Sequence, residues 1–340
     1  MKTSVIIPTY NRAALVTQAV DSVLAQFTDD DELLVVDDGS TDSTARSLQR
    51  YGDRLHVIHQ PNSGVNSARN RALGESRGEY VALLDDDDLW CPFKLRLQIQ
   101  LMDRFPDLAF IFTNFSIYRE NKPLRTDGIQ TWFRNPDEWQ SVFDSSMTLG
   151  ETGVEYAADL PNSTRLYFGR IHRPSLTQYY VLPSTALIRR SMITDSLRFN
   201  EQDPVCGDWE FFARLSRDNL VGYLDYDTVY NRSHEDEMRI TRTSWKKQLE
   251  YRVAMIERLY LDDADFCHCY GGEAYREYCR TVHALWRQYL LDNDRQALFS
   301  SLRKYRERAS TFNLPSILFT LANCVPGIGL VLRGIRGVRG

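Results

Sequence analysis

The first 115 residues alternate short apolar runs with amphipathic segments, and this alternation constrains the fold more than any other feature of the chain. The apolar runs are typical of buried strands and lie at residues 5–7, 33–36, 55–58, 80–84 and 109–112. The segments between them place apolar residues on one helical face, as at Leu15, Ala19 and Val23. Because the strands are apolar throughout, the pattern predicts an α/β fold with a mostly parallel sheet covered by helices.

Acidic residues stand where two of these strands end. The second strand runs into Asp37-Asp38-Gly39-Ser40, and the fourth runs into four consecutive aspartates, Asp85 to Asp88. Ligands of such sheets bind outside the carboxyl ends of the strands. Adjacent carboxylates repel one another unless a cation lies among them, and Mg²⁺ prefers one or two carboxylates together with phosphate oxygens. The pattern favours a metal-diphosphate site over a solvated turn in which Asp88 caps the helix that starts near Pro92.

The rest of the chain changes character twice. From about residue 119 to 180 the periodicity fades, and aromatic residues interleaved with Gly, Pro and Ser indicate a loop-rich substrate region. Residues 245–311 are helical with polar faces. Residues 314–332 are apolar but broken by proline and glycine, which makes a poor transmembrane span. Two interpretations of this tail stay open: a segment on an anionic membrane surface, or a hairpin that closes the core or contacts a partner.

Composition excludes several classes of protein. A length of 340 residues allows two domains, and a formal net charge of −5 argues against a nucleic-acid binder. The six cysteines lack a paired C-x-x-C spacing, which favours a reducing cytoplasm over a disulfide scaffold or a zinc ribbon. Ordinary helix packing is favoured over a metal site at Cys267-His268-Cys269. The N-terminus lacks the apolar stretch of a signal peptide, so we expect no export by that route.

Four linked motifs carry more specific information. They are VIIPTYNR at residues 5–12, VVDDGSTD at 35–42, NSGVNSARN at 62–70 and LDDDDLW at 84–90. Together, in this order and spacing, they resemble the family 2 glycosyltransferases, and the resemblance covers residues 1–240. It implies the GT-A fold, with a Rossmann-like, mostly parallel sheet flanked by helices, and an inverting transferase that uses a nucleotide-diphosphate sugar and a divalent metal, Mn²⁺ or Mg²⁺.

The resemblance also divides the chain. We expect a GT-A domain and a helical C-terminal extension, and within the GT-A domain a nucleotide-sugar half and an acceptor half. The bounds are 1–240 for the GT-A domain, 1–115 and 116–240 for its halves, and 241–340 for the extension.

In the family the loop after the first strand holds the donor nucleotide. The matching residues are Pro8, Thr9, Tyr10 and Arg12. An aromatic ring can stack on a base, and an arginine can pair with phosphate charge. Simple packing is the alternative for Tyr10.

Two further motifs complete the nucleotide site. The resemblance places Asp38 where the family accepts a hydrogen bond from the base, typically uracil, and Asp37 where it braces the loop. Arg69 follows a glycine-containing loop and opens a helix, a natural place to steady a diphosphate.

The family's D-x-D motif is matched by Asp85, near the ribose, and Asp87, on the metal. Asp86 lies between them in the donor site. Aspartate at all four places leaves open which oxygens ligate. His234 stands where many members place a histidine close to the diphosphate or metal, although among Glu235 to Glu237 it fits a surface residue equally.

Inversion requires a base that takes the proton of the attacking hydroxyl. Gly207-Asp208-Trp209-Glu210 resembles the family's acidic motif, in which the second residue is that base, so Asp208 is the candidate and Glu210 the fallback. The family's usual acidic residue before the base is Gly207 here. Capping of the helix by Asp208 is the rival interpretation.

The predicted function is transfer of a sugar, from a UDP-sugar by family tendency, to a growing polysaccharide, lipid-linked glycan or glycoconjugate. The predicted place is the cytoplasm, with peripheral contact at the inner face of the membrane. Two alternatives are a metal-dependent nucleotidyltransferase and a degenerate transferase kept as a nucleotide-sugar-binding scaffold. A dinucleotide-dependent oxidoreductase is disfavoured because no G-x-G-x-x-G follows the first strand. Five arginines hint at an anionic acceptor: Arg165, Arg170, Arg173, Arg189 and Arg190.

Overall fold

A computed structural model describes residues 2–119, 122–132, 139–155, 160–233 and 243–311. The chain divides into two compact units, residues 1–240 and 241–340, which are treated separately below. His234 and the apolar tail that begins at residue 314 lie outside the described residues.

The first unit is built on one sheet, to which the described residues contribute eleven strands. In chain order the strands are β1 (Thr3–Thr9), β2 (Asp31–Asp37), β3 (His56–His59), β4 (Tyr80–Leu83), β5 (Leu89–Trp90), β6 (Leu108–Arg119), β7 (Lys122–Arg125), β8 (Ser145–Thr148), β9 (Arg165–Gly169), β10 (Leu187–Arg189) and β11 (Leu220–Arg232). Across the sheet their order is β3-β2-β1-β4-β10-β6-β11-β9-β8, with β5 paired to β11 and β7 paired to β6.

Most of the sheet runs in one direction. β3, β2, β1 and β4 are mutually parallel, and β6 and β11 continue in the same direction beyond the antiparallel β10. β9 is antiparallel to β11, and β8 reverses again. The predicted mostly parallel sheet is confirmed, and β10 is a reversed strand inserted into it.

Helices flank the sheet and connect its strands. The α-helices of the first unit are α1 (Ala13–Leu24), α2 (Thr44–Gln49), α3 (Val65–Glu75), α4 (Lys94–Arg104), α5 (Gly128–Trp132), α6 (Trp139–Val142) and α7 (Gly207–Leu215). α1 buries Val16, Ala19, Val20 and Val23, the face that the apolar spacing predicts. Its partner strand β1 is buried along its whole length, which explains why residues 5–7 carry no polar side chain.

The predicted loop-rich region contains more regular structure than its sequence indicates. Strands β7, β8 and β9 and helices α5 and α6 lie between residues 122 and 169. β9 pairs with β11 and β8 with β9, so this region widens the sheet. Its aromatic residues pack as core: the Phe143 and Tyr223 rings stack with centroids 5.8 Å apart.

The second unit is helical, as predicted for residues 245–311. It comprises α8 (Trp245–Ile256), α9 (Ala264–Leu291) and α10 (Arg295–Thr311), with a π-helical turn after α8. Within it the buried Glu257 accepts a hydrogen bond from the Tyr278 hydroxyl at 2.9 Å and pairs with Lys304. None of the helices within the described ranges is long and apolar enough to cross a membrane.

Candidate active site

The predicted donor residues meet at the carboxyl ends of β1, β2 and β4. Thr9, the last residue of β1, is in register with Asp37, the last residue of β2. The Asp38 N–H donates to the Thr9 carbonyl at 2.9 Å, and the Leu84 N–H donates to the Ile6 carbonyl at 3.0 Å. Three motifs that are distant in sequence therefore reach the same edge of the sheet.

Asn11 fixes the loop after β1 to the loop after β2. It has a φ of 52°, a left-handed conformation that asparagine tolerates better than most residues. Its Oδ1 accepts from the Thr41 N–H at 2.7 Å, and its own N–H donates to the Ser40 hydroxyl at 2.9 Å. The neighbouring Tyr10 is 44% exposed, so packing does not occupy its ring. Asn11 stands in the quoted motif, but its sequence context alone gave it no role.

Asp38 anchors the loop that precedes α3. Its two carboxylate oxygens accept from the Gln60 side chain at 2.7 Å, the Ser63 N–H at 2.9 Å and the Gly64 N–H at 2.8 Å. A carboxylate has about four acceptor positions, so one is left for a further donor. Its assignment to a nucleotide base stays a prediction.

Asp37 makes a local turn instead, as its predicted bracing role requires. Its Oδ1 accepts from the Ser40 N–H at 2.9 Å. Gly39 between them has a φ of 82°, and a Cβ there would lie 2.8 Å from the backbone nitrogen of Asn62. Only glycine fits that position of the turn.

The four consecutive aspartates, called here the acidic tetrad (Asp85 to Asp88), alternate in exposure. The Asp85 and Asp87 side chains are 28% and 18% exposed. Asp86 and Asp88 are buried. The tetrad therefore presents two carboxylates to solvent, and they are the two that match the family's D-x-D.

The buried members hold the site together. The Asp86 oxygens accept from the Thr9 hydroxyl at 2.7 Å and from Arg12 Nη1 at 2.8 Å. Asp88 accepts from the Ser184 hydroxyl at 2.6 Å and from Asn231 Nδ2 at 3.0 Å. Because α4 begins at Lys94 with no side-chain cap, the alternative that Asp88 caps this helix is wrong.

Arginine side chains offset the charge of the tetrad. Arg12 Nη1 also lies 2.9 Å from Asp87, and Arg69 Nη2 lies 2.7 Å from Asp85. Burial raises the pKa of Asp86 to about 6, although Arg12 opposes this rise. Burial, followed by the charges of Asp87 and Asp85, raises the pKa of Asp88 well above its ordinary value. Burial therefore favours the protonated form of two members of the tetrad, while Arg12 and Arg69 pair with its carboxylates.

Asp208 lies close enough to Arg69 and Asp85 for their charges to interact. α7 begins at Gly207, and Cys206 is its N-cap residue. Asp208 is the second residue of the helix and therefore does not cap it. Its oxygens accept from the Tyr179 hydroxyl and from the Trp209 N–H, each at 2.8 Å. Burial raises the pKa of Asp208, and the positive charge of Arg69 opposes the rise. No local pattern in the sequence relates Tyr179 to Asp208, so the role of this tyrosine was not predicted.

Glu210 and Arg189, two further candidates, make other contacts. Glu210 is buried and accepts from Asn200 Nδ2 at 3.1 Å. Arg189 pairs with Tyr80, the first residue of β4, and donates to the carbonyls of Leu108 and Met102. It therefore lies at the edge of the sheet opposite the acidic tetrad. The expectation that it and its neighbour Arg190 mark an anionic acceptor site is wrong, because β10 runs antiparallel to β4.

The carboxylates fit a divalent cation of the expected kind. No group of three or more His, Cys, Asp or Glu side chains within the described part of the chain could hold a metal by itself. Mg²⁺ and Mn²⁺ at substrate phosphates need one or two protein carboxylates, because phosphate oxygens and water supply the remaining ligands. The partly exposed Asp85 and Asp87 can provide them.

Solved structures define the class of fold to which this sheet and edge belong. Staphylococcus aureus TarS 1–349 in complex with UDP-GlcNAc has a TM-score of 0.54 at 19% identity, covering 90% of this chain and 92% of that one. The mannosyltransferase PcManGT of Pyrobaculum calidifontis, in complex with GDP-Man and Mn²⁺, has a TM-score of 0.52 at 16% identity, covering 97% of this chain and 80% of that one. The fold is that of GT-A glycosyltransferases, as predicted.

Sequence comparisons give the family. The model "Glycosyl transferase family 2" matches residues 4–195. An uncharacterized glycosyltransferase of Rickettsia typhi is 40% identical over 250 residues, which are 74% of this chain and 69% of that protein. The chain belongs to glycosyl transferase family 2, which confirms the predicted resemblance.

Curated relatives with more informative names match over shorter stretches. The putative teichuronic acid biosynthesis glycosyltransferase TuaG of Bacillus subtilis is 42% identical over 123 residues, 35% of this chain and 48% of that protein. The Escherichia coli protein named UDP-Glc:alpha-D-GlcNAc-diphosphoundecaprenol beta-1,3-glucosyltransferase WfgD is 35% identical over 120 residues, 35% of this chain and 47% of that protein. The match thus spans about half the length of each.

Proposed function

We propose that this protein is an inverting glycosyltransferase that transfers a sugar from a nucleotide-diphosphate sugar to an acceptor hydroxyl. One observation carries the proposal: a carboxylate of the acidic tetrad and the carboxylate of Asp208 both interact with the charge of one buried arginine, Arg69. It is 2.7 Å from Asp85, and its charge acts on Asp208. Displacement at an anomeric carbon needs a group that binds the donor and a base that takes the acceptor proton. Asp85 and Asp208 are assigned these two roles.

The donor side is assigned to the loops at the ends of β1, β2 and β4. The exposed ring of Tyr10 is available to stack on the base, and Asp38 keeps one acceptor position for it. Pro8 and Thr9 end the strand that leads into this loop. Asp86 contributes by holding Thr9 and Arg12.

Asp85 and Asp87 are the residues that would hold Mn²⁺ or Mg²⁺. When bound, the metal supplies positive charge that stabilises the departing nucleoside diphosphate. Arg69 and Arg12 add fixed positive charge to the same edge, which favours binding of the diphosphate. The role of His234 at the metal is proposed from its place in the sequence alone.

Asp208 acts as the general base. In the proposed reaction the acceptor oxygen attacks the anomeric carbon and its proton passes to the Asp208 carboxylate. The bond from that carbon to the diphosphate oxygen breaks with its electron pair. The Tyr179 hydroxyl orients the carboxylate. Burial, which raises the pKa of Asp208, makes its carboxylate a stronger proton acceptor.

The proposed acceptor is a saccharide of the cell envelope, either polymeric or carried on a lipid diphosphate. The names of TuaG and WfgD support this class. Such acceptors favour a place at the cytoplasmic face of the membrane with peripheral contact. UDP is the proposed donor nucleotide, in line with the UDP-GlcNAc complex of TarS.

A thermal unfolding screen tests the proposal. The protein is heated with UDP, GDP, CDP or dTDP, each with Mn²⁺ and with EDTA. A ligand at about 100 times its dissociation constant stabilises the folded state by about 2.7 kcal/mol. We expect a Mn²⁺-dependent rise of the midpoint with UDP. No rise with any nucleotide would refute the donor site, and binding without release of UDP from UDP-sugars in the presence of lipid-linked saccharides would favour the scaffold alternative.

A further inference from the structure

Two asparagines of α3, one turn apart, hold the backbone segment that leads into α7. Asn66 Nδ2 donates to the carbonyls of Asn200 and Asp203 at 3.0 and 2.9 Å. Asn70 donates to the Phe199 carbonyl and accepts from the Phe199 N–H, each at 2.9 Å. The helix that carries Arg69 is thus fastened to the segment that places Asp208.

Asn66 differs from Asn70 in one respect that bears on the site. Its Oδ1 accepts from Arg69 Nη1 at 3.3 Å, while Arg69 Nη2 reaches Asp85. Asn66 and Arg69 are 4% and 5% exposed. A guanidinium is a rigid planar fork of N–H donors, so the hydrogen bond of Nη1 to Asn66 and the pair of Nη2 with Asp85 together set its orientation. The contacts of Asn70 are with Phe199 and with Glu201, at 2.8 Å.

Gly207 is the first residue of α7, and its lack of a side chain leaves room for the Asn66 side chain. A Cβ at position 207 would lie 2.1 Å from Asn66 Nδ2, a distance at which one of the two must move. The φ of Gly207 is not in the left-handed region, since it is absent from the positive-φ glycines of the described chain. Space, not backbone conformation, therefore requires glycine here. This explains why the chain lacks a side chain where the family usually has an acidic one.

We propose that Asn66 is a positioning residue for glycosyl transfer: packed against Gly207, it holds the Arg69 guanidinium in its pair with Asp85 of the donor site, near Asp208 of the acceptor site. The inference rests on the proposed function for what Arg69 does there. The steric contact between Asn66 and Gly207 is independent of the proposed function.

Asn66→Ala and Asn70→Ala form a matched pair of variants. Each removes hydrogen bonds to the same backbone segment, so each lowers the unfolding midpoint. Only Asn66→Ala also removes a hydrogen bond to Arg69, whereas Asn70→Ala acts on Arg69 only through Phe199, whose ring lies 5.3 Å from the guanidinium carbon. We expect the kcat of Asn66→Ala to fall about tenfold or more below that of Asn70→Ala, because small misplacements of charged groups have large effects on rate. Affinity for Mn²⁺-UDP is measured alongside, so that binding and turnover are separated.

The steric pairing is tested by unfolding midpoints alone. Gly207→Ala should lower the midpoint strongly, and Asn66→Ala/Gly207→Ala should unfold within a few degrees of Asn66→Ala. Gly74→Ala is the control, because a Cβ at this α3 position meets nothing within 4 Å. Additive losses in the double variant would overturn the pairing.

Equal kcat values in Asn66→Ala and Asn70→Ala, with an active parent protein, would overturn the positioning role and leave the proposed function standing. A parent protein that neither binds Mn²⁺-UDP nor transfers sugar would refute both. The midpoints of the Gly207 variants would still decide the steric pairing.

Discussion

Asp86→Asn removes a carboxylate that folding buries, and the effect on stability depends on pH in a calculable way. The Asp86 side chain is 7% exposed. Burial raises its pKa from 3.8 to about 6. The folded protein therefore holds this proton more tightly than the unfolded chain does. Asp86 contributes full stability below pH 3.8, and this contribution is lost as the pH rises through about 6. The loss amounts to about 3 kcal/mol, at about 1.4 kcal/mol for each pH unit of the shift.

Urea unfolding of the parent protein and of Asp86→Asn, at about pH 4.5 and about pH 7.5, measures this term. EDTA is present so that no divalent cation binds the neighbouring carboxylates. Asparagine does not ionise, so the variant does not lose this part of its free energy of unfolding as the pH rises. At the lower pH about 1 kcal/mol has already been lost by the parent. The free energy of unfolding of the variant, relative to the parent, should therefore improve by about 2 kcal/mol between the two pH values.

Comparing two pH values cancels the pH-independent consequences of the substitution, such as altered packing, while the ionisation-dependent contacts with Thr9 and Arg12 are already included in the pKa of about 6. Asp107→Asn is the control, because this exposed aspartate is solvated in both the folded and the unfolded chain. A difference between parent and Asp86→Asn that stays constant to within about 0.5 kcal/mol across the two pH values would refute the reasoning.

Three further predictions concern the donor and acceptor sites. Asp87→Asn should abolish the Mn²⁺-dependent part of UDP binding, measured by titration calorimetry with and without EDTA; undiminished Mn²⁺ dependence contradicts the metal assignment. Asp208→Asn should retain UDP binding but lower turnover by about 10²-fold or more, with Glu210→Gln as the comparison. Near-normal turnover in Asp208→Asn would move the base elsewhere. Tyr10→Ala should weaken nucleotide binding by about 2- to 10-fold, the scale of an aromatic contact, with an unchanged unfolding midpoint; equal affinity argues against base stacking.

The parts of the fold that follow from local pattern were predictable from the sequence. Runs such as Val5 to Ile7 are apolar on both faces because the sheet is covered, and aspartates at strand ends reveal the carboxyl edge without any knowledge of topology. The reversed strand β10 was not predictable in this way. Three residues cannot show their direction, and that direction carries Arg189 to the edge away from the tetrad.

Within the site, the residues were predictable from the sequence, but the separate roles of the four aspartates were not. Four identical aspartates give no sign of which are buried, because this depends on Thr9, Ser184 and Asn231, which lie far along the chain. Asn66 was hidden for a similar reason. Its partners are backbone carbonyls more than a hundred residues away. Every residue has a backbone carbonyl, so the sequence does not show which one an asparagine will contact.

Ser184 has a consequence for protein engineering. It accepts from the Asp85 N–H at 3.1 Å and donates to Asp88, although it belongs to the predicted acceptor half. A chimera that exchanges residues 116–240 with those of another family member would also exchange the support of the acidic tetrad, and β10 with it. Recombination for new acceptors should therefore transplant surface loops of this region and retain residues 183–189, since a cut at residue 115 separates modules that the sheet interleaves.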